Sequence, residues 1–504
     1  MENRLESMTA LMNSANSMWR LCVALIALSI LGHRLPGAER PNVIFMMADD
    51  LGYGDVQAYN PKSRIPTPHL NRLAEEGMRF TDAHSPSAVC TPTRYGVVTG
   101  RYCWRSSLKR GVLNGYGAPF MQPDRPTVAT LMTQAGYRTA AIGKWHLGLR
   151  FGKDEDGEND FGKTLITTPN DFGFQTFFGI PASLDFPPYV YIQNREITAP
   201  VTQTYDAVSF PAFMRRGEIA DDFIPEESLD TLTQKAVAYL DARARDKDNF
   251  FLYFPLTAPH KPVLPAKRFR GATELGPYGD FVVQTDWVVG QILAALDRNN
   301  LTQDTLLLFT SDNGSFMYRR DDSEPGHVED ETIQAYRESD HTANGPLRGT
   351  KADIWEAGHR VPFLARWPGR VAAGIESATT ICHVDLAATL ADILDIPLPE
   401  DAFEDSFSFL PDLLGEERAQ PRAPVIHHSG SGMFAIRDGK WKLVAGSGSG
   451  GREAPKGVAF ERPFFLADLE NDLGETSNRA EDFPEIEERL WQTLTEIRES
   501  GRSR

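Results

Sequence analysis

Four apolar runs, each ending in polar residues, constrain the fold of this chain more than any other feature. They are NVIFMMADD at residues 42–50, RTAAIGKWHLG at 138–148, NFFLYFPLTAPH at 249–260 and DTLLLFTSDNG at 304–314. Continuous apolar runs of this length are typical of strands that are buried on both faces of a sheet. We therefore predict strands that meet in one buried sheet, with their polar ends at its edge.

Helical patterns alternate with these runs, with apolar residues three and four positions apart. The patterns cover residues 68–80, 126–137, 229–244 and 286–300. Alternating strands and helices predict an α/β fold in which helices cover both faces of a mostly parallel sheet. Ligands of such sheets bind at the carboxyl ends of the strands, where all four polar clusters fall. The stretch GSGSGG at residues 446–451 predicts a flexible loop.

We predict three regions along the chain. Residues 1–38 have the features of a secretory signal, because a basic residue precedes an apolar run at 21–31 and small residues end the segment. Translation from Met18 would shorten this signal, and an uncleaved N-terminal anchor is the alternative. Residues 39–418 form the main domain. Residues 419–504 form a smaller C-terminal subdomain with a small antiparallel sheet and a terminal helix.

The charge balance and the cysteine count exclude some classes of protein. The chain has 52 basic and 69 acidic side chains, for a formal net charge of −17. Such a surface repels phosphate backbones, so a nucleic-acid partner is not expected, and an anion site must be built from local cations. Four cysteines are too few for a disulfide scaffold. Cys22 lies in the predicted signal, and Cys90, Cys103 and Cys382 allow one disulfide with one spare thiol.

Two of the strand ends supply oxygen ligands. Asp49 and Asp50 are adjacent carboxylates after the first run, and Asp312 and Asn313 follow the fourth. Adjacent acids at a buried position repel each other unless a cation or a proton lies between them. Oxygen ligands without His or Cys select a hard cation, Ca2+ or Mg2+. Either pair alone is better explained by a turn or a helix cap, but two pairs on buried strands favour a metal site.

Other motifs supply cations, proton donors and a thiol. GKWHLG contains Lys144 and His146, TAPHKP contains His260, and RGTKADIWEAGHRVP contains Lys351. If they converge, these groups can hold a tetrahedral anion and protonate a leaving group. In SPSAVCTPTRYGVVTGRY, Cys90 precedes Pro92 and Arg94. This cysteine is either a small buried apolar residue or a thiol that is converted or used chemically.

Taken together, these motifs resemble the formylglycine-dependent (type I) sulfatases of the alkaline phosphatase superfamily. The resemblance runs from about Asn42 to the C-terminal helix and rests on ADDLGYGDV, CTPTRYGVVTGRY, GKWHLG, APH, TSDNG and GTKADIWEAGHRVP. It implies that a maturation enzyme oxidises Cys90 to Cα-formylglycine while the chain is unfolded, with Pro92 and Arg94 in the recognition signal. Thr93 stands where the family often has serine. The family fold has a large, mostly parallel sheet between helices.

The resemblance also implies a role for each site residue. Asp49, Asp50, Asp312, Asn313 and residue 90 would hold Ca2+, or Mg2+. One hydroxyl of the hydrated aldehyde would attack sulfur and release the alcohol, and deprotonation of the other would then expel sulfate and restore the aldehyde. The remaining residues would position the aldehyde hydrate (Arg94), hold the sulfate oxygens (Lys144 and Lys351), act as the base (His146) and protonate the leaving oxygen (His260).

The substrate expectation rests on a narrower resemblance. GRYCWRSSLKRGVLNGY and VIHHSGSGMFAIRDGKWKL look like segments of carbohydrate sulfatases related to galactose- and N-acetylgalactosamine-6-sulfatases. We therefore expect a secreted or periplasmic enzyme, without stable membrane insertion, that removes 6-O-sulfate from galactose or N-acetylgalactosamine of sulfated glycans. Arg105, His341, His427 and His428 are the candidate substrate contacts. The alternatives are a phosphodiesterase or phosphonate monoester hydrolase of the same superfamily, and a sulfated-glycan binder in which Cys90 stays a thiol.

Overall fold

The computed structural model describes residues 40–246 and 248–504, and the predicted secretory signal lies outside these residues. The described strands are β1 (Asn42–Asp49), β2 (Met78–Phe80), β3 (Ala83–His84), β4 (Arg138–Lys144), β5 (Thr176–Ile180), β6 (Ile192–Gln193), β7 (Glu196–Ile197), β8 (Val201–Tyr205), β9 (Gly217–Ala220), β10 (Phe250–Pro259), β11 (Thr305–Ser311), β12 (Tyr318–Arg320), β13 (Ala335–Arg337), β14 (Phe363–Arg366), β15 (Ile375–Ser377), β16 (Ile381–Cys382), β17 (Val425–His428), β18 (Phe434–Asp438), β19 (Trp441–Val444) and β20 (Phe465–Asp468). The described α-helices are α1 (Pro68–Glu75), α2 (Cys90–Thr99), α3 (Val128–Gln134), α4 (Ser228–Arg243), α5 (Gly276–Arg298), α6 (Glu356–His359), α7 (Leu386–Leu394), α8 (Leu410–Leu414) and α9 (Pro484–Glu499).

A ten-stranded sheet forms the centre of the molecule, in the order β15-β2-β14-β11-β1-β10-β4-β5-β6-β7. Its four middle strands, β11, β1, β10 and β4, are the four apolar runs of the sequence, and they are parallel to one another. In β1, Val43 pairs with Phe251 on one side and Leu306 on the other. Every residue of β1, β10 and β11 is buried, so these strands are apolar on both faces. The predicted α/β fold is confirmed.

The longer helices pack in two groups. Helices α1, α4 and α5 form one group, in which α4 and α5 contact β10. Helices α2, α3 and α7 contact one another in the second group. Helix α2, which begins at Cys90, is buried along its whole length. The predicted helical stretch 68–80 is correct only to Glu75, because Met78–Phe80 forms β2 and pairs with β14 and β15.

A smaller antiparallel sheet, β17-β18-β19-β20, follows near the C-terminus, and helix α9 packs on β18 and β19. This agrees with the predicted small sheet and terminal helix; the boundary at residue 419 stays a prediction. Lys442 of β19 pairs with Glu356 at 3.1 Å and with Glu475 at 2.8 Å, and all three side chains are fully buried. The small sheet is thus connected to the rest of residues 41–504, which form one compact unit.

The stretch GSGSGG at residues 446–451 is packed rather than flexible, which corrects the sequence prediction. Four of its residues are buried, and a Cβ atom at Gly451 would lie 2.3 Å from the carbonyl oxygen of Ala352. A Cβ at Gly450 would lie 2.2 Å from the Cβ of Met433. These glycines are needed because two backbone segments approach more closely than any side chain permits.

The three described cysteines do not form a disulfide. Cys90, Cys103 and Cys382 are all buried and free, although the cysteine count allowed one disulfide among them. Within residues 40–246 and 248–504, no helix has both the length and the apolar character needed to cross a bilayer.

Candidate active site

The carboxyl ends of the four middle strands bring the polar clusters of the sequence together. Asp49 is the last residue of β1 and Lys144 is the last residue of β4. His260 follows β10, and Asp312 follows β11. Because these strands are parallel neighbours, residues more than 250 positions apart in the chain lie within hydrogen-bonding distance of one another; the Asp50 backbone N–H, for example, donates to Asp312 Oδ1 at 3.1 Å. The site is thus a product of the sheet topology.

Three carboxylates and one amide form a buried oxygen cluster. Asp49, Asp50, Asp312 and Asn313 are each fully buried. Asn313 Nδ2 donates to Asp50 Oδ1 at 2.6 Å, while Asn313 Oδ1 is buried with no hydrogen-bond partner in the described structure. Asp50 has a φ of 65°, a left-handed backbone that turns its carboxylate toward the cluster. An amide oxygen without a hydrogen-bond donor, together with three carboxylates, is a set of ligands that suits a hard cation such as Ca2+.

Three buried cations face these carboxylates. Lys144 Nζ lies 2.6 Å from Asp49 Oδ2, and Lys351 Nζ lies 2.6 Å from Asp50 Oδ1. Arg94 Nη2 lies 2.7 Å from Asp312 Oδ2 and its Nη1 donates to the carbonyl oxygen of Lys144. Burial, the largest single effect, opposes the charge of Lys351, but the neighbouring acidic groups, Asp50 first among them, together outweigh it and raise the pKa of the lysine above its usual value. Each of the three cations is therefore paired with one of the three carboxylates of the cluster.

Cys90 lies within this cluster, at the first turn of α2. Its Sγ is 3.4 Å from Lys351 Nζ and 3.8 Å from Asp49 Oδ1. Burial raises the pKa of the thiol to about 12, even though Lys144 and Lys351 act in the opposite direction. A thiol with this pKa is uncharged at neutral pH and is a weak nucleophile.

The two predicted histidines occupy different positions. His260 lines the cavity, with Nε2 3.5 Å from Asp50 Oδ2 and Nδ1 against the carbonyl oxygen of Lys261. Burial lowers the pKa of His260 to about 3. His146 is fully buried, with Nε2 2.8 Å from the carbonyl oxygen of Leu113 and Nδ1 3.5 Å from Ser183 Oγ. Burial, with Lys144 second, holds the pKa of His146 well below its usual value. Both are neutral in this state.

A cavity of about 360 Å³ leads to this cluster. Cys90, His260 and Lys351 line it, and so do Arg215, Lys261 and Arg452, which were not singled out from the sequence. Burial, followed by the charge of Arg452, lowers the pKa of Lys261 to about 8. Lys261 stands next to His260 in TAPHKP and could have been found from that motif. Arg215 and Arg452 lie in segments without any motif, so only the folded structure brings them to the cavity.

The four candidate substrate residues have other contacts, and none of them lines this cavity. Arg105 makes a two-pronged ion pair with Asp405, with Nη2 2.8 Å from Oδ1. His341 Nε2 lies 2.8 Å from Asp55 Oδ1.

The other two candidates are packed in the interior. His427 stacks on His359 with ring centroids 3.7 Å apart. His428 packs edge-on against Phe434. The structure thus gives all four residues structural partners where the sequence predicted contact with a substrate.

Comparison with known proteins gives consistent results. Residues 41–396 match the family model described as Sulfatase. An N-acetylgalactosamine-6-O-sulfatase of Bacteroides thetaiotaomicron is 32% identical over 497 residues, which cover 92% of this chain and 94% of that protein. Human arylsulfatase A is 32% identical over 463 residues, or 88% of this chain and 83% of that protein. A solved structure from work on the metabolism of multiple glycosaminoglycans by Bacteroides thetaiotaomicron has a TM-score of 0.80 and 31% identity, covering 91% of this chain and 99% of that chain.

Proposed function

Because the chain belongs to the sulfatase family and is therefore a sulfuric ester hydrolase, we propose that it removes 6-O-sulfate from galactose or N-acetylgalactosamine in sulfated glycans. The observation that carries this proposal is the convergence of Cys90, Lys144 and Lys351 on a buried carboxylate cluster beside a cavity. The sugar and the position of the sulfate rest on the similarity to the N-acetylgalactosamine-6-O-sulfatase over nearly the whole of both chains.

Two groups would complete the site. Asp49, Asp50, Asp312 and Asn313 would hold Ca2+ or Mg2+, whose positive charge favours ionisation of a nearby hydroxyl and offsets the charge of the sulfate ester. Conversion of Cys90 to Cα-formylglycine would supply, once hydrated, a hydroxyl nucleophile in place of the thiol. The donor set supports the first assignment, since one of its oxygens, Asn313 Oδ1, is buried without a partner.

The residues that the chain itself provides bind and orient the substrate. Lys144 and Lys351 place two ammonium groups where the sulfate oxygens arrive, and they act as compact point charges. Arg94 is held by Asp312 and the Lys144 carbonyl oxygen, so its guanidinium is fixed in position next to residue 90. Low solvent exposure strengthens each of these interactions, because the surroundings screen them less than water does.

Proton transfer is assigned to the two histidines. In His260, Nδ1 faces a backbone carbonyl oxygen and carries its hydrogen there, so in the neutral ring Nε2 has a free lone pair. Nε2 would therefore take up a proton first and then pass it to the leaving sugar oxygen. His146 would act as the base for sulfate release. Ser183, which faces His146 Nδ1, also lines the cavity and so connects this histidine to the substrate side.

The cationic wall of the cavity favours a charged carbohydrate as the substrate. Arg215, Lys261 and Arg452 line the same cavity as the site residues. The guanidinium of Arg215 lies 4.0 Å from the ring centroid of Phe186 and contacts the carboxylate of Asp185, which restricts its movement. Such groups can donate to sulfate, carboxylate and hydroxyl oxygens of a glycan.

The proposal includes the cellular setting. Secretion or export to the periplasm would expose the enzyme to extracellular glycans, and the predicted signal at residues 1–38 supports this. A formylglycine-generating enzyme would be a transient partner during synthesis. A stable membrane contact and a nucleic-acid partner are not part of the proposal.

Regioselectivity and the state of Cys90 test the proposal together. We expect protein from its native host to carry formylglycine at residue 90 in peptide mass spectrometry, and to release sulfate at least about tenfold faster from galactose 6-sulfate than from galactose 4-sulfate, a difference of about 1.4 kcal/mol. An intact thiol in that material would favour the glycan-binder alternative. Preference for the 4-sulfate would reject the 6-O assignment, and much faster cleavage of an aryl phosphodiester would favour the phosphodiesterase alternative.

A further inference from the structure

A second concave site, which we call the cationic cleft, lies beside the active-site cavity. It has a volume of about 520 Å³, and five of its ten lining residues are Arg or Lys while none is Asp or Glu. The cationic lining residues are Arg101, Arg105, Lys109, Arg110 and Arg498. A concentration of positive charge of this kind is unexpected in a chain whose net charge is −17.

Two of these cations are neutralised by neighbouring carboxylates. Arg101 Nε lies 3.1 Å from a carboxylate oxygen of Glu404, and Arg105 pairs with Asp405 at 2.8 Å. Their role in the cleft is therefore largely structural, since the side chain of Arg105 is only 3% exposed.

The other three cations have no counter-charge. Within residues 40–246 and 248–504, no carboxylate oxygen lies within 4.0 Å of the charged atoms of Lys109, Arg110 or Arg498. Lys109 Nζ donates to the carbonyl oxygen of Trp104 at 2.7 Å, which leaves its charge unpaired. Lys109 and Arg110 are exposed to solvent. The cleft thus holds three positive charges without a protein anion.

Aromatic rings restrict two of the cleft's guanidinium groups, those of Arg105 and Arg498. Arg498 lies 5.0 Å from the ring centroid of Phe434 and 4.3 Å from that of Phe460. Arg105 lies 4.2 Å from the ring centroid of Trp104, which in turn contacts Phe434. Cation–π contacts of this kind restrict the side chains, so less conformational entropy is lost when they bind an anion.

The cleft borders the active-site cavity. Ser431 lines both, and Gly111, which follows Arg110, lines the cavity. The Gly111 backbone N–H donates to the carbonyl oxygen of Gly430 at 3.0 Å, so residues 109–111 and 430–432 form a shared wall. The two sites are therefore neighbours, and a ligand that contacts both must be longer than one sugar.

We propose that the cationic cleft binds a second anionic group, a sulfate or a carboxylate, of the same glycan chain whose sulfate ester occupies the cavity. The inference rests on the proposed function and extends it, because the preferred substrate then is an oligosaccharide with several charges rather than a single sulfated sugar. The unpaired cations supply the attraction, and the shared wall places the two sites within reach of one chain.

The double variant Lys109→Gln/Arg110→Gln tests this inference with two substrates. We expect kcat/KM for a chondroitin 6-sulfate tetrasaccharide to fall about tenfold and to become less sensitive to salt, because two charge interactions are lost. The kcat/KM for the monosaccharide N-acetylgalactosamine 6-sulfate should change by less than about twofold, because that ligand does not reach the cleft. Lys62→Gln/Lys267→Gln removes the same charge from exposed positions outside both sites and is the control.

A binding measurement separates this inference from the proposed function. In a Cys90→Ala background, which cannot turn over substrate, the tetrasaccharide should bind about tenfold more weakly when Lys109 and Arg110 are replaced than when Lys62 and Lys267 are. Equal affinities in the two double variants would show that the cationic cleft does not bind the glycan, even if the enzyme releases sulfate. Weaker binding without any sulfate release from wild-type protein would support the cleft and reject the proposed function instead.

Discussion

At the scale of single residues, the position of Cys90 shows why a thiol would not be an effective nucleophile here. Its Sγ lies among three buried carboxylates, and burial raises the pKa of the thiol to about 12. Thiolate formation is therefore strongly disfavoured at this position, although Lys144 and Lys351 lie close by. An uncharged hydroxyl nucleophile that is activated locally avoids the cost of a buried thiolate.

The variant Cys90→Ala is expected to remove all measurable sulfate release, because the atom that forms the nucleophile is gone, while the fold is retained. Cys103→Ala is the matched control, since Cys103 is also buried and free but contacts Ser106 and Leu108 outside the cavity. Sulfate release should be measured by ion chromatography, and folding by near-ultraviolet circular dichroism. Substantial turnover by folded Cys90→Ala protein would contradict the proposed mechanism.

Functional residues could be predicted from the sequence where a polar side chain directly follows a buried strand, but not in the connecting segments. Asp49, Lys144 and Asp312 are recognisable because a buried apolar run places a charged group at its end, where it needs a partner. Arg215 and Arg452 could not be predicted, since each lies in a connecting segment whose path to the cavity depends on the whole fold. His427 and His428 are adjacent polar residues of one strand and are both buried, and their role as substrate contacts stays a prediction.

At the scale of elements, the sequence predicted the central strands and the long helices well, since each is specified by its own periodicity. The predictions were wrong where contacts with another segment of the chain determine the local structure. Residues 78–80 continue a helical pattern, yet they form a strand because β14 and β15 offer backbone hydrogen bonds on both sides. GSGSGG was expected to be mobile on composition alone, whereas its glycines permit close packing against Ala352 and Met433.

Removing the buried cation that joins β19 to helix α6 is expected to destabilise the protein. Lys442→Met leaves Glu356 and Glu475 without their shared cation, which should lower the free energy of unfolding by about 3–5 kcal/mol. Lys440→Met is the control, because Lys440 pairs with Asp468 at a solvent-exposed position, where loss of the pair should cost much less. Urea unfolding measures both values, and equal costs for the two variants would show that the buried pair does not stabilise this junction.

At the scale of the whole molecule, buried neutral histidines couple stability to pH. Burial lowers the pKa of His428 to about 4, whereas an unfolded histidine has a pKa of about 6.5. Between these values the unfolded chain binds more protons than the folded one, so stability falls as the pH drops below 6.5. His383, whose pKa burial lowers to about 3, acts in the same direction.

The variant His428→Phe is expected to reduce the decrease in unfolding free energy at low pH. Between pH 8 and pH 4, wild-type protein should lose about 3 kcal/mol of unfolding free energy through His428 alone, and the variant should lose about 3 kcal/mol less over the same interval. The urea midpoint at the two pH values provides the measurement, and the value at pH 8 shows the effect of the substitution on packing. An unchanged difference between pH 8 and pH 4 would mean that His428 is not neutral in the folded protein.

The complete burial of helix α2 has a consequence for the order of events during synthesis. All of its residues, from Cys90 to Thr99, are enclosed once the sheet and its covering helices have assembled. The proposed oxidation of Cys90 therefore competes in time with folding, and a chain that folds first is locked in the thiol form. The active fraction of a preparation would then depend on the ratio of two rates, the rate at which the modifying enzyme oxidises Cys90 and the rate at which the chain folds. It would not measure how much of the protein is correctly folded.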